Sequence, residues 1–347
     1  MSINAAPESA GGERTVVIGA GAWGTTLANL IASTGRDVTL VAHSQAHAEQ
    51  VRLARENERY LPAIRLSDRL LVTDDPTSVV SGASMVALVV PSQQMRASAS
   101  KVAPFLSPEA VLVSCAKGLE LGTLLRMTEV VADASGVATN RICALSGPNL
   151  AREIALGLPA SAVVAGSDQR VSEMAQLALG APSFRLYTSA DVVGVELGGA
   201  LKNIVALGAG VADGLQLGHN AKAAFITRGL AEMIRLGVAA GANPLTFGGL
   251  SGLGDLIATC ESPLSRNRSF GERLGRGMSI EEAAAGTPHV VEGLTTARAA
   301  LTLAEHHRVE MPIAATVVSV LDGRMGVRDA IGSLMSRGAR PELDAFR

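Results

Sequence analysis

A chain of 347 residues, 48% of them hydrophobic, is long enough for about two domains with substantial cores. A formal net charge of -2, with no lysine-rich or arginine-rich run, gives no electrostatic case for a nucleic-acid partner. No uninterrupted apolar stretch reaches the roughly 18 residues of a membrane helix. Three scattered cysteines, Cys115, Cys143 and Cys260, form no metal-ligand pair and read as buried thiols of a reducing compartment. The expectation is a soluble, cytoplasmic protein with no membrane span and no metal site.

Residues 1–13 are small, polar and acidic, without the basic start or apolar centre of a secretory signal, and read as a disordered tail. Thr15-Val16-Val17-Ile18 predicts a buried parallel strand. Gly19-Ala20-Gly21-Ala22-Trp23-Gly24 follows at once, and a helical pattern covers residues 25–33. Strand, glycine turn and helix in this order make the dinucleotide fingerprint. Gly19 permits the tight turn, Gly21 lets backbone approach a pyrophosphate, and Gly24 lets helix and strand pack closely, while free helix N–H groups face the anion. A second strand over residues 38–42 ends at His43-Ser44. An NAD-selective site puts a carboxylate there to grip the ribose hydroxyl. This chain has none, and Asp37 precedes the strand. His43 is either a donor to an added phosphate or a solvated loop histidine. The missing repulsion favours NADPH, with NADH accepted.

Further strands are predicted over 85–90, 110–114 and 142–145, alternating with helical patterns, as in a doubly wound parallel sheet. Each runs into a loop of small or polar residues: Pro91-Ser92-Gln93, Ala116-Lys117-Gly118 and Ser146-Gly147-Pro148-Asn149. Ligands of such sheets bind beyond the carboxyl ends of the strands, so these loops should rim one crevice. Among 30 basic residues only Lys101, Lys117, Lys202 and Lys222 are lysines. Arginine serves wherever a cation suffices, so a lysine kept here points to a need for an amine that can give up a proton. Lys117 fits that need; Lys101 and Lys222 read as ordinary helix surface.

From about residue 191 the strand signals stop, and residues 192–212 read as a long helix rich in glycine and alanine. Glycine costs about 1 kcal/mol in a helix, so its frequency implies close backbone approach. Lys202 and Asn203 stand in the middle of this apolar segment, where an amine must be paired, solvated by a cleft, or lowered in pKa. The glycine run from residue 248 leads into a helix with Asp255 and Thr259 on one face. Asp255 is either a partner for Lys202 or a helix cap. Ser265-Arg266-Asn267 offers a guanidinium fork beside hydroxyl and amide donors, suited to a phosphate or to a solvated turn. His289-Val290-Val291-Glu292-Gly293 places a carboxylate after valines. The last stretch reads as one helix from residue 327 and a frayed tail.

With these motifs in view the chain resembles the NAD(P)-dependent glycerol-3-phosphate dehydrogenases of the bacterial type, from about residue 14 to 334. The resemblance rests on Gly19–Gly24, Ala116-Lys117-Gly118-Leu119-Glu120, Ser146-Gly147-Pro148-Asn149, Gly199-Ala200-Leu201-Lys202-Asn203, Gly252-Leu253-Gly254-Asp255-Leu256, Ser265-Arg266-Asn267 and Val291-Glu292-Gly293. It implies a Rossmann-like sheet over residues 14–190 and an all-helical substrate domain over 191–337. It further implies an acid–base Lys202 with Lys117, Asp255 and Thr259 around the reacting oxygen. Gly147, Asn149, Asn203, Ser265, Arg266 and Asn267 are then substrate contacts. Gly19, Gly21, Ala22, Trp23, Gly24, His43, Tyr60, Lys117, Ala151, Arg266, Val290 and Glu292 fall on the cofactor side. Ala22 and Ala116 stand where small polar and hydroxyl residues are commoner. The implied reaction interconverts dihydroxyacetone phosphate and glycerol 3-phosphate for glycerophospholipid synthesis, and a homodimer is expected. The alternatives are a related β-hydroxyacid or ketopantoate-type reductase, or a non-catalytic NAD(P) sensor.

Overall fold

Short, wholly apolar strands need cover on both faces, and the computed structural model supplies it. It describes residues 14–285, 291–336, 338, 341 and 342; the tail expected over residues 1–13 lies outside them. Ten strands are present among the described residues: β1 (Thr15–Ile18), β2 (Val38–Val41), β3 (Glu56–Asn57), β4 (Leu61–Arg65), β5 (Leu71–Thr73), β6 (Met85–Leu88), β7 (Val111–Ser114), β8 (Ile142–Ser146), β9 (Ala160–Ala165) and β10 (Phe184–Ser189). Eight form one sheet in the order β10-β9-β8-β7-β6-β1-β2-β5. All its neighbours pair in parallel except β8 with β9, while β3 and β4 make a separate hairpin. Along β1, Val17 enters one apolar layer with Leu27, Ile31 and Leu179. Val16 and Ile18 enter the opposite layer with Met95, Val102 and Val130. Alternate residues thus reach opposite covered faces, which is why the strand reads as a continuous apolar run.

Two details depart from the sequence reading. The first helix spans Ala22–Ser33, so the last residues of the glycine fingerprint already form its opening turn. Gly24 is helical because its need is contact: an added Cβ would stand 1.8 Å from the Gly19 carbonyl oxygen. The outer pair β9–β10 runs against the rest of the sheet, which the sequence pattern did not reveal.

No strand follows Ser189 among the described residues, and helices continue from Val192. The helix Val192–Gly214 is, by length and composition, apolar enough to cross a membrane, yet 83% of its apolar window is buried inside the protein. It is hydrophobic all round because other helices surround it. The expected close approaches occur: a Cβ on Gly198 would stand 2.5 Å from the Ser251 oxygen, and one on Gly210 1.9 Å from that of Arg268. Buried Glu196 ties this helix to the sheet half, accepting from Thr128 N–H at 2.8 Å, Thr128 Oγ1 at 2.7 Å and Arg126 at 2.6 Å. Burial pushes its carboxyl upward, and the Arg126 cation opposes that.

Lys222 corrects a reading. It is 6% exposed and ion-paired to Asp213 at 3.0 Å and Glu261 at 3.1 Å, because its helix, Gly218–Ala239, lies against Val192–Gly214. Lys101 is exposed as expected. All three cysteines are buried and free, and burial pushes the Cys115 and Cys260 thiols up to about 12.

Candidate active site

The chain leaves β1 for β2 on one side and returns to β6 on the other, so a crevice opens beyond the carboxyl ends of β1 and β6. Gly19 sits there with φ +113°, and an added Cβ would lie 2.3 Å from the Val89 carbonyl oxygen. No side chain fits the conformation or the space. Beside it, a Cβ on Gly21 would meet nothing within 4 Å, and the first turn of the Ala22–Ser33 helix carries no acidic residue. The result is a row of free N–H groups at open space, suited to an anion.

The other expected cofactor-side residues ring this turn unevenly. The Ala151 carbonyl accepts from Thr26 Oγ1 at 3.1 Å, which docks its short helix on the nucleotide helix. His43 is exposed past the end of β2, and Tyr60 lies 5.4 Å from the ring of His47. Trp23 packs edge-on against Phe184, with ring centroids 5.6 Å apart. The half-buried indole thus packs against the sheet core from the first helical turn. Val290 lies outside the described residues.

Deeper in, four segments distant in sequence bring their polar groups together. Gly147, at φ +144°, passes so close to β9 that a Cβ would stand 2.7 Å from the Ala162 Cα. Its carbonyl accepts from Lys117 Nζ at 2.9 Å. Lys117 also donates to Asn149 Oδ1 at 2.6 Å and Asp255 Oδ2 at 2.8 Å. An ammonium has three donors, so all of Lys117's are engaged. Lys202 donates to the other Asp255 oxygen, Oδ1, and to Thr259 Oγ1 at 2.6 Å. Two of its donors are engaged and one is left. Thr259 passes its own proton to the Asp255 carbonyl at 2.6 Å. Asp255, 1% exposed, thus holds two lysines rather than capping its helix.

Lys202 is 5% exposed. Burial lowers its pKa from the ordinary 10.5 to about 7; the Asp255 carboxylate opposes the fall and the Lys117 cation adds to it. Close packing is what permits the cluster. A Cβ on Gly199 would stand 2.4 Å from Ser146 Oγ and 3.4 Å from Lys117 Cγ, so the helix carrying Lys202 lies directly on the strand-end loops. Two buried polar atoms face no protein partner here, Asn149 Nδ2 and Ser146 Oγ.

On the side of the Arg266–Gly275 helix, Asn203 Nδ2 donates to the Lys117 carbonyl at 3.4 Å. Asn203 Oδ1 accepts from Asn267 at 2.9 Å, and Asn267 Oδ1 accepts from Gly293 N–H at 2.9 Å. The Ser265 hydroxyl caps the helix by accepting from Arg268 N–H at 3.3 Å, leaving its own proton to donate. Arg266, at the first helical position, is exposed as a residue, but the protein around its guanidinium lowers its pKa by burial and the Glu292 carboxylate opposes the fall.

Comparisons with known proteins agree over nearly the full length. Family models described as the N-terminus and the C-terminus of NAD-dependent glycerol-3-phosphate dehydrogenase match residues 14–172 and 191–332. The chain belongs to the NAD-dependent glycerol-3-phosphate dehydrogenase family. It is 49% identical over 329 residues to a glycerol-3-phosphate dehydrogenase [NAD(P)+] of Streptomyces avermitilis, covering 95% of this chain and 98% of that protein. Another of Streptomyces griseus is 50% identical, with the same coverage. The crystal structure of the glycerol-3-phosphate dehydrogenase of Coxiella burnetii superposes with a TM-score of 0.90 at 36% identity, over 94% of this chain and 99% of that one.

This family member also contains crevice residues that sequence reasoning missed. Ser92, named only as part of a rim loop, gives its backbone N–H and hydroxyl to the Glu292 carboxylate at 3.2 and 2.6 Å. Buried Asn57 donates to the Ala20 carbonyl at 2.9 Å and Thr25 Oγ1 at 2.8 Å, bracing the glycine turn from the β3–β4 hairpin. His47 joins Asn57 to His43. Its place four residues after His43, across the Ser44 cap of the helix Gln45–Ala54, was the available signal.

Proposed function

We propose that the protein interconverts dihydroxyacetone phosphate and sn-glycerol 3-phosphate, with Lys202 exchanging a proton with the C2 oxygen. The observation that carries this reading is the unequal use of the two lysines: Lys117 has spent every donor on protein, while Lys202 keeps one. An amine with a pKa near 7 is poised to give a proton to a forming alkoxide and to take one from a hydroxyl. Asp255 holds the ammonium in place, Lys117 holds Asp255, and burial keeps the proton transferable. Unpartnered Asn149 Nδ2 supplies a further donor toward the same oxygen-rich end of the substrate.

The residues fit a nicotinamide dinucleotide, through the Gly19 turn, the open space at Gly21 and the uncharged first helical turn. When bound, that group supplies or accepts the hydride. NADPH is the proposed preference, because no carboxylate follows β2 to repel a 2′-phosphate. For the substrate phosphate, Arg266 and Ser265 offer a partly desolvated guanidinium and an unspent hydroxyl proton beside a helix N-terminus. The same reading carries the expectations of a cytoplasmic homodimer whose product feeds glycerophospholipid synthesis.

The test is the loss of reduced-nicotinamide absorbance on adding dihydroxyacetone phosphate to the purified protein with NADPH. Oxidation that depends on that substrate is expected. A protein that binds NADPH yet leaves it reduced would overturn the reading in favour of a sensor.

A further inference from the structure

His43 stands immediately past the end of β2, where a dinucleotide site of this fold meets the adenosine ribose. It is not an isolated loop residue. His43 Nδ1 and His47 Nδ1 are 3.1 Å apart, and His47 Nε2 is 3.1 Å from Asn57 Oδ1. Asn57 is fully buried. Its amide nitrogen contacts the Ala20 carbonyl oxygen at 2.9 Å, and a carbonyl can only accept. The NH2 group must therefore face Ala20, and Oδ1 must face His47. It follows that His47 carries its proton on Nε2.

His47 is 8% exposed. Burial lowers its pKa; the Asn57 hydrogen bond opposes this, and the His43 and Arg59 charges reinforce it. A neutral ring protonated at Nε2 has a bare Nδ1, which can only accept, so the shared hydrogen bond must be donated by His43 Nδ1. The groups around the pair agree with a neutral His47. Arg59, from the β3–β4 turn, disfavours a further cation, and Tyr60 presents an uncharged ring. Asp75, after β5, accepts from the Thr77 N–H and hydroxyl, both through Oδ1.

We infer that Asn57 and His47 fix the proton of neutral His43 on Nδ1, so that His43 Nε2 accepts from a ribose 2′-hydroxyl when neutral and donates to a 2′-phosphate only when cationic. His47 is thus a positioning residue for cofactor choice, acting through His43. The inference rests on the proposed nicotinamide cofactor and deepens it. Preference for NADPH over NADH is a consequence of His43's charge and has a sign. It rises as pH falls and the ring gains its Nε2 proton. It falls as pH rises and a bare lone pair confronts the phosphate.

Two measurements test this. The first needs no cofactor: ¹⁵N chemical shifts of the histidine rings, with His43 and His47 assigned through His43→Gln and His47→Gln variants. At about pH 9, above the ordinary imidazole range, wild type should show His43 protonated at Nδ1 only and His47 at Nε2 only. A His43 ring protonated at Nε2 under those conditions overturns the inference.

The second is the dissociation constant of NADPH and of NADH, by fluorescence titration, between about pH 5.5 and 8. In wild type the NADPH/NADH affinity ratio should fall by about tenfold across that range. In His47→Gln the released His43 ring can place its proton on Nε2, so the fall should shrink to a small fraction of that. A ratio independent of pH in wild type, or an unchanged slope in His47→Gln, sinks the inference. Failure of both nucleotides to bind would instead sink the cofactor reading, and the ring ¹⁵N shifts would still decide the tautomer.

Discussion

Ser92 and Glu292 meet across 200 residues of sequence, the carboxylate accepting from both the N–H and the hydroxyl of the serine. One belongs to the loop after β6 and the other begins the helix Glu292–His307, so the contact fastens the rim of the crevice to the helical half. Gly118 keeps the seam narrow, since a Cβ there would stand 2.6 Å from Ser92 Oγ.

Glu292→Gln should raise the KM for the nicotinamide cofactor several-fold and lower stability by about 1.5–3 kcal/mol, the usual worth of a hydrogen bond to a charged group. Ser92→Ala should act in the same direction. A double-mutant cycle by chemical denaturation should show coupling of about 1 kcal/mol. Simple additivity would mean that the two residues act separately.

Lys202→Ala should lower turnover by about 10²–10⁴-fold, the range expected for loss of a general acid. Lys202→Arg should recover little of it, because a guanidinium restores charge without a transferable proton. Steady-state kinetics on variants with wild-type cofactor affinity would check this. Near-normal turnover in the arginine variant would remove Lys202 from the chemistry.

The lowered pKa of Lys202 gives the reaction a pH signature. Reduction needs the ammonium, so its kcat/KM should fall as pH rises through about 7, while oxidation needs the free amine and should rise over the same interval. Stability carries the matching sign. The unfolded chain keeps this lysine charged up to about 10.5 and the folded one only to about 7. The penalty is therefore full below pH 7 and fades between the two values. Lys202→Met removes this pH dependence but leaves the buried Asp255 carboxylate with one lysine, so it should lower stability at neutral pH by up to about 3–5 kcal/mol and abolish the rise toward pH 10. Thermal unfolding at both pH values would read it.

Arg266→Ala should weaken use of dihydroxyacetone phosphate far more than that of unphosphorylated dihydroxyacetone. The differential should be about 1.5–3 kcal/mol in kcat/KM. Equal losses on both substrates would assign the guanidinium to the cofactor instead.

What the sequence disclosed, and what it hid, divides by range. The β1 strand, the Gly19 turn and the helix after it were legible because each is specified within a few residues by apolar pattern and by glycine. Lysine scarcity singled out Lys117 and Lys202, the spacing after the glycine run singled out Asp255, and the family resemblance placed the three together. That one carboxylate divides its two oxygens between them was not readable, because it depends on helix contacts set by Gly198 and Gly199. Lys222 was misread for the same reason: only tertiary packing brings Asp213 and Glu261 to it. The reversed β9 and β10 were invisible, since strand direction leaves no trace in a short apolar run.

The proton-transfer cluster also says something about how the protein comes into being. Lys117 and Asp255 are separated by 138 residues, Lys202 and Asp255 by 53, and Ser92 and Glu292 by 200. During synthesis the sheet half can close on its own contacts early, as N-terminal segments tend to do. Through that interval Lys117 has no carboxylate to bind, and the long apolar helix emerges before the helices that cover it. The nascent chain is thus inert as a catalyst while it is most exposed to aggregation. Translation must pass residue 292 before the crevice can be fastened, so activity cannot precede the helix Glu292–His307.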